Sequence, residues 1–466
     1  NYQYNVKKIG YLKLDKNEPS IDKKCVYVPG IGNGACAVYS YGMYNIPAFK
    51  EEDYMLSKKN YMSRISFDLK SRTSYRGEVK NYTTTWKQAD KSLKESFFNN
   101  QTSKKSFFKK SIPEAILLTE NKLEKAKKIF SFIQNHYSWN GKFWTNEDAK
   151  IKQAFQEKTG DIGEINLSLY NSLKAANLDA NLVVLSTRNN GIPTKIFPVI
   201  YDYNYVIVKT IIDDKEYFLD ATDKFLPFGE LPVRTLNGEA REINFKEKST
   251  WVLLKPKYKS LVNVVAKLNL TQEGVFEGNL IINKNGYFAS NQRKKISSRS
   301  EDDYLEDFEA KNIDVEVEDY NVKNLTNLDK TLNELFKIRI EMNEELGNKI
   351  RINPFIFDRV SNNPFKLKER NYPVDFAYSR YKKYYLNLQI PDNYKIVSLP
   401  KKKAISLPNK GGKFTLNIVQ RNNIINISSR IHISKSIFSS EDYFALKEFY
   451  KQIILSEKGD IILEKI

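Results

Sequence analysis

A chain of 466 residues exceeds what one hydrophobic core usually supports, and its 41% hydrophobic and 13% aromatic content excludes wholesale disorder. The formal net charge of +19 comes from lysines scattered along the whole sequence. Clusters such as 109–110, 294–295 and 401–403 are short and none interleaves with aromatics in a known nucleic-acid motif, so the charge reads as a solvated basic surface and not as a nucleic-acid site. Apolar stretches are broken by Lys, Asp or Asn well before the roughly 18 residues that a bilayer-spanning helix needs. This excludes a transmembrane helix and leaves association with a membrane surface open.

The sequence starts at Asn1 without a charged, apolar and cleavable leader, and reads as a processed or trimmed product. Up to about Trp86, short runs such as Tyr61-Met62-Ser63-Arg64-Ile65-Ser66-Phe67-Asp68-Leu69 alternate apolar and polar residues. That period of two predicts half-buried strands, and hence a β-sandwich or the remaining part of one. The two cysteines, Cys25 and Cys36, flank a Pro29-Gly30-Ile31-Gly32-Asn33-Gly34 turn. A cross-hairpin disulfide would imply folding in an oxidising compartment, and two buried free thiols remain the other reading.

Residues 87–110 are rich in Lys, Ser, Asn and Phe without a clean period, and predict a short helix followed by an exposed connection. A helix is expected over 116–137, because Leu123, Ala126, Phe130, Ile133 and Tyr137 recur at steps of three and four. A second is expected over 162–177 on the stripe Ile162, Ile165, Leu169, Leu173 and Ala176. Strands then follow at 182–187, 205–211 and 216–220 with turns at Asn189-Asn190-Gly191 and Asp213-Asp214. Helices followed by strands predict helices packed on an antiparallel sheet. From about Trp251 onwards the reading is mostly β: a hairpin over 268–283 around Glu273-Gly274, alternation over 337–342 and 417–433, and a last helix over 440–455 closing the chain.

The opening of the second helix at Gly160-Asp161-Ile162 is the most informative place for chemistry. An amide-rich helix N-terminus lowers a thiol pKa and stabilises an oxyanion, so a cysteine there would be activated. The strand starting near Asn204-Tyr205 and the segment Leu219-Asp220-Ala221-Thr222 would carry the other members of a Cys-His-Asp arrangement.

Residues 124–237 resemble the transglutaminase-like superfamily, in the large exported Bacteroidetes type that places this core between β-rich domains. Supporting stretches are Asn45-Ile46-Pro47-Ala48-Phe49-Lys50-Glu51-Glu52 and Thr85-Trp86 upstream, with Asn363-Pro364-Phe365 and Arg370-Asn371-Tyr372-Pro373-Val374 downstream. The resemblance implies an α+β fold: a papain-like, transglutaminase-like central domain over 106–250, flanked by β-sandwich domains. Residues 1–105 would be the C-terminal part of the first plus a linker, and 251–466 the second. On the family pattern, in which the helix begins Gly-Asp-Cys or Gly-Asn-Cys, the cysteine falls on Ile162. The histidine falls on Tyr205, and only Asp220 keeps its residue type.

An isoleucine has no nucleophilic atom, and a tyrosine is a poor general base at neutral pH. The expectation is therefore a non-catalytic binding or scaffold subunit, without cofactor or metal, that recognises a protein of an envelope complex or a peptide. The resemblance implies a periplasmic or outer-membrane-associated location. Trp139 and Trp144, with Tyr205, are the candidates for ligand stacking, set beside the ordinary fate of such residues in core packing. His136 and His432 read as a helix-end and a solvent-facing strand histidine. The pairs Asp161 with Glu164 and Asp220 with Asp223 would serve the rival enzyme reading, a carboxylate-based glycan hydrolase. A divergent cysteine peptidase or amidase is its other form, and a carbohydrate-binding module is a third reading.

Overall fold

The computed structural model describes residues 2–466, except Tyr11, Leu12, Tyr75, Thr83, Thr84, Asn99, 145–148, Phe197, Ile313, 342–344 and Gly347. Met342, at the end of the strand expected over 337–342, lies outside the described residues. The chain is α+β with several β-rich regions and divides into two compact units that interleave in sequence. One comprises Asn1–Leu117, Ser138–Ile211 and Asn237–Leu254; the other comprises Leu118–Tyr137, Ile212–Leu236 and Lys255–Ile466. The division does not follow three consecutive blocks at 105 and 250, and side-chain packing shows why. In the second unit Gln134 Nε2 donates to the carbonyls of Asp223 (2.6 Å) and Leu226 (2.9 Å), and Phe130 packs edge-on against Phe228 at 5.6 Å. Glu230 in turn accepts from the amide of Tyr258 at 2.7 Å, tying that segment to the chain beyond Lys255.

In the first unit the expected sandwich is thinner than the alternation implied. Tyr2–Ile9, Arg64–Thr73 and Val79–Asn81 form a three-stranded sheet, and Lys16–Val28 pairs with Gly32–Gly42 as a separate ribbon bridged by Cys25 and Cys36, whose Cα atoms are 5.8 Å apart. Among the described residues up to Tyr82 no apolar side chain is buried, whereas Ile21, Tyr27, Ile31 and Tyr39 stand exposed on the ribbon. Alternation signals a pleated surface but does not say that a second layer covers it.

The region read as an exposed connection is instead folded and docked. Helices Trp86–Ser92 and Lys105–Ser111 bury Ala89 and Phe108, with Leu93 and Phe98 between them. Asn171, inside the core helix Ile162–Ala175, bonds the carbonyl of Gln101 (2.7 Å) and the amide of Lys104 (2.9 Å). Their burial is not written in the run itself, which has no single period. The core helix is buried nearly all round, beyond the one stripe its sequence suggests. Within this unit Asp179–Leu185 pairs antiparallel with Tyr205–Ile212 and with Glu239–Ile243, which pairs with Thr250–Leu253.

In the second unit the helix expected over 116–137 is two pieces, Glu114–Leu117 in the first unit and Lys122–His136 here, because the Asn121 side chain accepts from Glu124 N at 3.0 Å and starts a new helix. An eight-stranded sheet dominates, with the hairpin Ser260–Leu270 and Val275–Asn285 at its centre, and Ser260–Leu270 also runs parallel to Arg380–Gln389. Residues 417–433 resolve into the hairpin Gly412–Arg421 and Ile424–Ile433. A four-stranded sheet and helices complete the core, with Tyr304, Leu446, Phe449 and Ile453 joining Val264, Ile338 and Ile427. This differs from a pure sandwich. The helices Gly286–Ser297 and Glu301–Lys311 interrupt a stretch read as β, and the last helix, Tyr443–Glu457, is followed by a strand, Ile461–Lys465, that closes the chain. No helix is long and apolar enough to cross a membrane among the described residues.

Candidate functional site

The candidate site of the first unit is built at the start of the core helix. Asp161 caps it: Asp161 Oδ1 accepts from Glu164 N at 2.8 Å, and Glu164 Oε2 accepts from Asp161 N at 2.9 Å, a reciprocal capping box. Burial, with the Glu164 charge beside it, pushes the Asp161 carboxyl up to about 6, against the lowering effect of the Glu164 and Gly163 amides and of Lys142. Glu164 Oε1 takes a further amide, that of Lys150, at 3.1 Å. The pair is thus engaged in backbone hydrogen bonds at the helix start.

A short parallel pairing of Ser138–Trp139 with Thr159–Gly160 brings the turn at 140–142 over the helix start. The carbonyl of Lys142 there accepts the amide of Ile162 at 3.3 Å and the indole Nε1–H of Trp139 at 2.8 Å. Asn140 Oδ1 holds the turn by accepting from Lys142 N at 2.9 Å. The amides of Ile162 and Glu164 therefore both have intramolecular acceptors, and the Ile162 side chain is 0% exposed.

Tyr205 opens its strand opposite Leu185 and is also 0% exposed. Asn166, one turn beyond Ile162, donates to the carbonyl of Val206 at 2.9 Å, which docks the helix across the strand that Tyr205 begins. Phe143 meets the Tyr205 ring at 6.1 Å and the Trp139 ring at 5.9 Å. With Phe143 39% exposed and Trp139 half-buried, these two side chains form an accessible aromatic edge with Tyr205 beneath.

Trp144, expected to stack on a ligand, is not accessible. It is 5% exposed and stacks on Phe98 at 5.4 Å with ring planes 11° apart. It lies so close to the helix start that a Cβ on Gly163 would sit 2.7 Å from its Cδ1. Core packing is its role, and only the buried face supplied by Phe97 and Phe98, outside any motif, could have revealed it.

Asp220 belongs to the second unit, just after the strand Lys215–Leu219, and is fully buried. Its Oδ1 accepts from Thr222 N at 2.9 Å and Thr222 Oγ1 at 2.6 Å, while Thr222 Oγ1 also takes a bond from Arg234 Nη2. Asp223 Oδ1 accepts from Phe225 N at 3.0 Å. Both carboxylates thus brace the turns that follow the strand. His136 ends its helix against Phe132 and Tyr137, and His432 is exposed beside Tyr381. Cys25 and Cys36 are bonded to each other, so neither offers a thiol. Among the described residues no three His, Cys, Asp or Glu side chains are grouped so as to hold a metal ion.

Residues 348–463 match the model of a domain of unknown function with a solved structure, DUF3858. No curated protein matches the chain. In structure the chain is similar to a candidate protease of Parabacteroides distasonis, with a TM-score of 0.55 and 13% identity over 99% of this chain and 70% of that one. At that identity the likeness concerns the fold alone, an α+β arrangement with several β-rich regions.

Proposed function

We propose that the first unit and its continuation carry a transglutaminase-like core without catalytic power, acting as a peptide-binding or scaffold subunit of an envelope protein complex. The observation that carries this reading is the occupied helix start. The position for a nucleophile is a buried isoleucine, and its own amide is spent on the Lys142 carbonyl instead of being held for an oxyanion. A general base is equally missing, since the strand position that would supply one is the buried Tyr205. The accessible edge of Trp139 and Phe143 is suited to a peptide side chain or an apolar turn. A disulfide in the ribbon suits the oxidising periplasm or the outer-membrane face.

The likeness to a candidate protease keeps an enzyme as the second reading. Its thiol version would have to run without either cysteine, and its carboxylate version would have to free Asp161 and Glu164 from the capping box or Asp220 and Asp223 from their turns. The deciding experiment places a photo-crosslinking residue at Phe143 in cells and identifies the adducts by mass spectrometry, with Phe444, exposed in the other unit, as control site. One stoichiometric adduct specific to Phe143, lost in Trp139→Ala, supports the binding reading. Equal adducts at both sites, or peptide hydrolysis by the purified protein that survives Trp139→Ala, would overturn it.

A further inference from the structure

The second unit contains a cavity of 290 Å³ that none of the candidate catalytic residues lines. Its walls come from Pro227, the strand start at 258–261, the first turns of the helix Gly286–Ser297 and the loop at 328–330. Tyr258, Leu261, Ala289, Leu328 and Pro227 make most of the lining apolar. The polar groups are unequal in sign: Lys259, Arg293 and Lys330 face one acid, Asp329, which is already paired with Lys127 at 3.6 Å.

Arg293 is the central feature. It is 1% exposed, so its charge is removed from water, and its partners are all neutral carbonyls. Nη2 donates to Asn324 (3.1 Å), Asn327 (3.0 Å) and Lys330 (2.7 Å), and Nε to Asn324 at 3.4 Å. These bonds set the loop that forms one wall, while Nη1 has no hydrogen bond among the described residues. A buried guanidinium hydrogen-bonded only to carbonyl oxygens has no carboxylate bonded to it, and the one acid nearby, Asp329, is shared with Lys127. The same wall holds the start of the helix Gly286–Ser297, where Asn285 Oδ1 accepts from Thr331 Oγ1 at 2.8 Å and does not cap, and Ser260 Oγ accepts one first-turn amide, that of Tyr287, at 3.1 Å. The positive end of the helix dipole faces the same side as the cations.

We propose that this cavity binds a small amphipathic monocarboxylate, its anion on Arg293 Nη1 and the flanking lysines and its hydrocarbon part against Tyr258, Leu261 and Leu328. The apolar walls disfavour inorganic phosphate or sulfate, which would lose hydration with nothing to replace it on those sides. The volume suits about a dozen non-hydrogen atoms, at the low end of small-ligand pockets.

The test titrates octanoate, 1-octanol and octylammonium against the whole chain by isothermal calorimetry and thermal shift. Octanoate binds saturably with one site and raises the melting temperature, and the alcohol binds at least about tenfold more weakly because the charge-assisted bond is lost. Octylammonium does not bind. Ala289→Phe, which fills the cavity from the helix side, removes octanoate binding. The exposed double variant Lys259→Glu/Lys330→Glu leaves the core untouched and weakens octanoate by about tenfold or more. Absence of saturable octanoate binding overturns the proposal. So does equal affinity for the alcohol, or octanoate binding that survives both the filled cavity and the reversed charges.

Discussion

The amide of Ile162 and the carbonyl of Lys142 lie 3.3 Å apart in a hydrogen bond, and the Trp139 indole shares that carbonyl. The first amide of the core helix, where a reactive group would be expected to be stabilised, is thus closed by the chain itself. Returning a thiol to this position tests how completely. In Ile162→Cys the sulfur enters a fully buried site, so alkylation by iodoacetamide at pH 7 should be at least about a hundredfold slower than in urea, where thiolate access is unrestricted. Loss of buried methyl groups should also cost about 1–2 kcal/mol in urea unfolding. Fast alkylation in the folded protein would show that the helix start is open.

Arg241 and Asp90 form the main electrostatic anchor of the docked linker. Arg241 Nε and Nη2 bond both Asp90 oxygens at 3.1 and 2.7 Å, and the guanidinium stands 5.3 Å from the Trp86 ring and 5.1 Å from the Trp251 ring. Asp90→Ala strands a buried cation and should destabilise the first unit by about 3–5 kcal/mol. Asp90→Ala with Arg241→Met should be milder than Asp90→Ala alone. Urea unfolding followed by tryptophan fluorescence reads both, since Trp86 and Trp251 report the same cluster.

Gly278 sits in the central strand Val275–Asn285, where a Cβ would come 2.0 Å from the carbonyl oxygen of Lys267 in the paired strand. Backbone rather than a flexible side chain blocks the space, so the strands must separate to admit a methyl group. Gly278→Ala should cost about 3 kcal/mol or more, seen as a lower melting temperature and faster exchange of amides across the hairpin.

Glu457 gives the second unit a pH dependence of definite sign. Burial pushes its carboxyl up to about 7 from an ordinary 4.5, against the lowering influence of the Val360 amide, Lys382 and Ser429, while Asp358 raises it further. The folded state therefore favours the protonated acid: this contribution is full below about pH 4.5 and is lost as pH rises through 7. Glu457→Gln should be more stable than the parent at pH 8 by up to about 3 kcal/mol, the difference vanishing near pH 4. A difference that grew on acidification would refute the assignment.

Particular elements show how far the chain order could be read. The core helix and the strands at 179–185 and 205–212 follow from apolar content, because a helical stripe and short continuous apolar runs bounded by turns are written locally. The short helix at 86–92 agrees with the expectation for that run, whereas the helices after Asn285 and the burial of 93–111 are not legible locally, because their apolar residues are few and their partners remote. Asn171 reaches Gln101 seventy residues away, and Arg293 reaches a loop more than thirty residues on. The strand Ile461–Lys465 is too short to carry a pattern, and exists because it pairs with Lys349–Ile352 on one side and Tyr394–Ser398 on the other.

By itself the sequence determined that the chain is multi-core and strand-rich, that no histidine or cysteine follows Asp161 at the core helix start, and that a basic surface surrounds it. Those are properties of composition and of neighbours within a few residues. Tertiary structure alone decided that Trp144 is core while Phe143 is accessible, that Cys25 and Cys36 join, and that a buried arginine stands in the wall of a cavity. The physical reason is that burial, and the partner that satisfies a buried polar group, come from segments tens of residues apart, which no local period records.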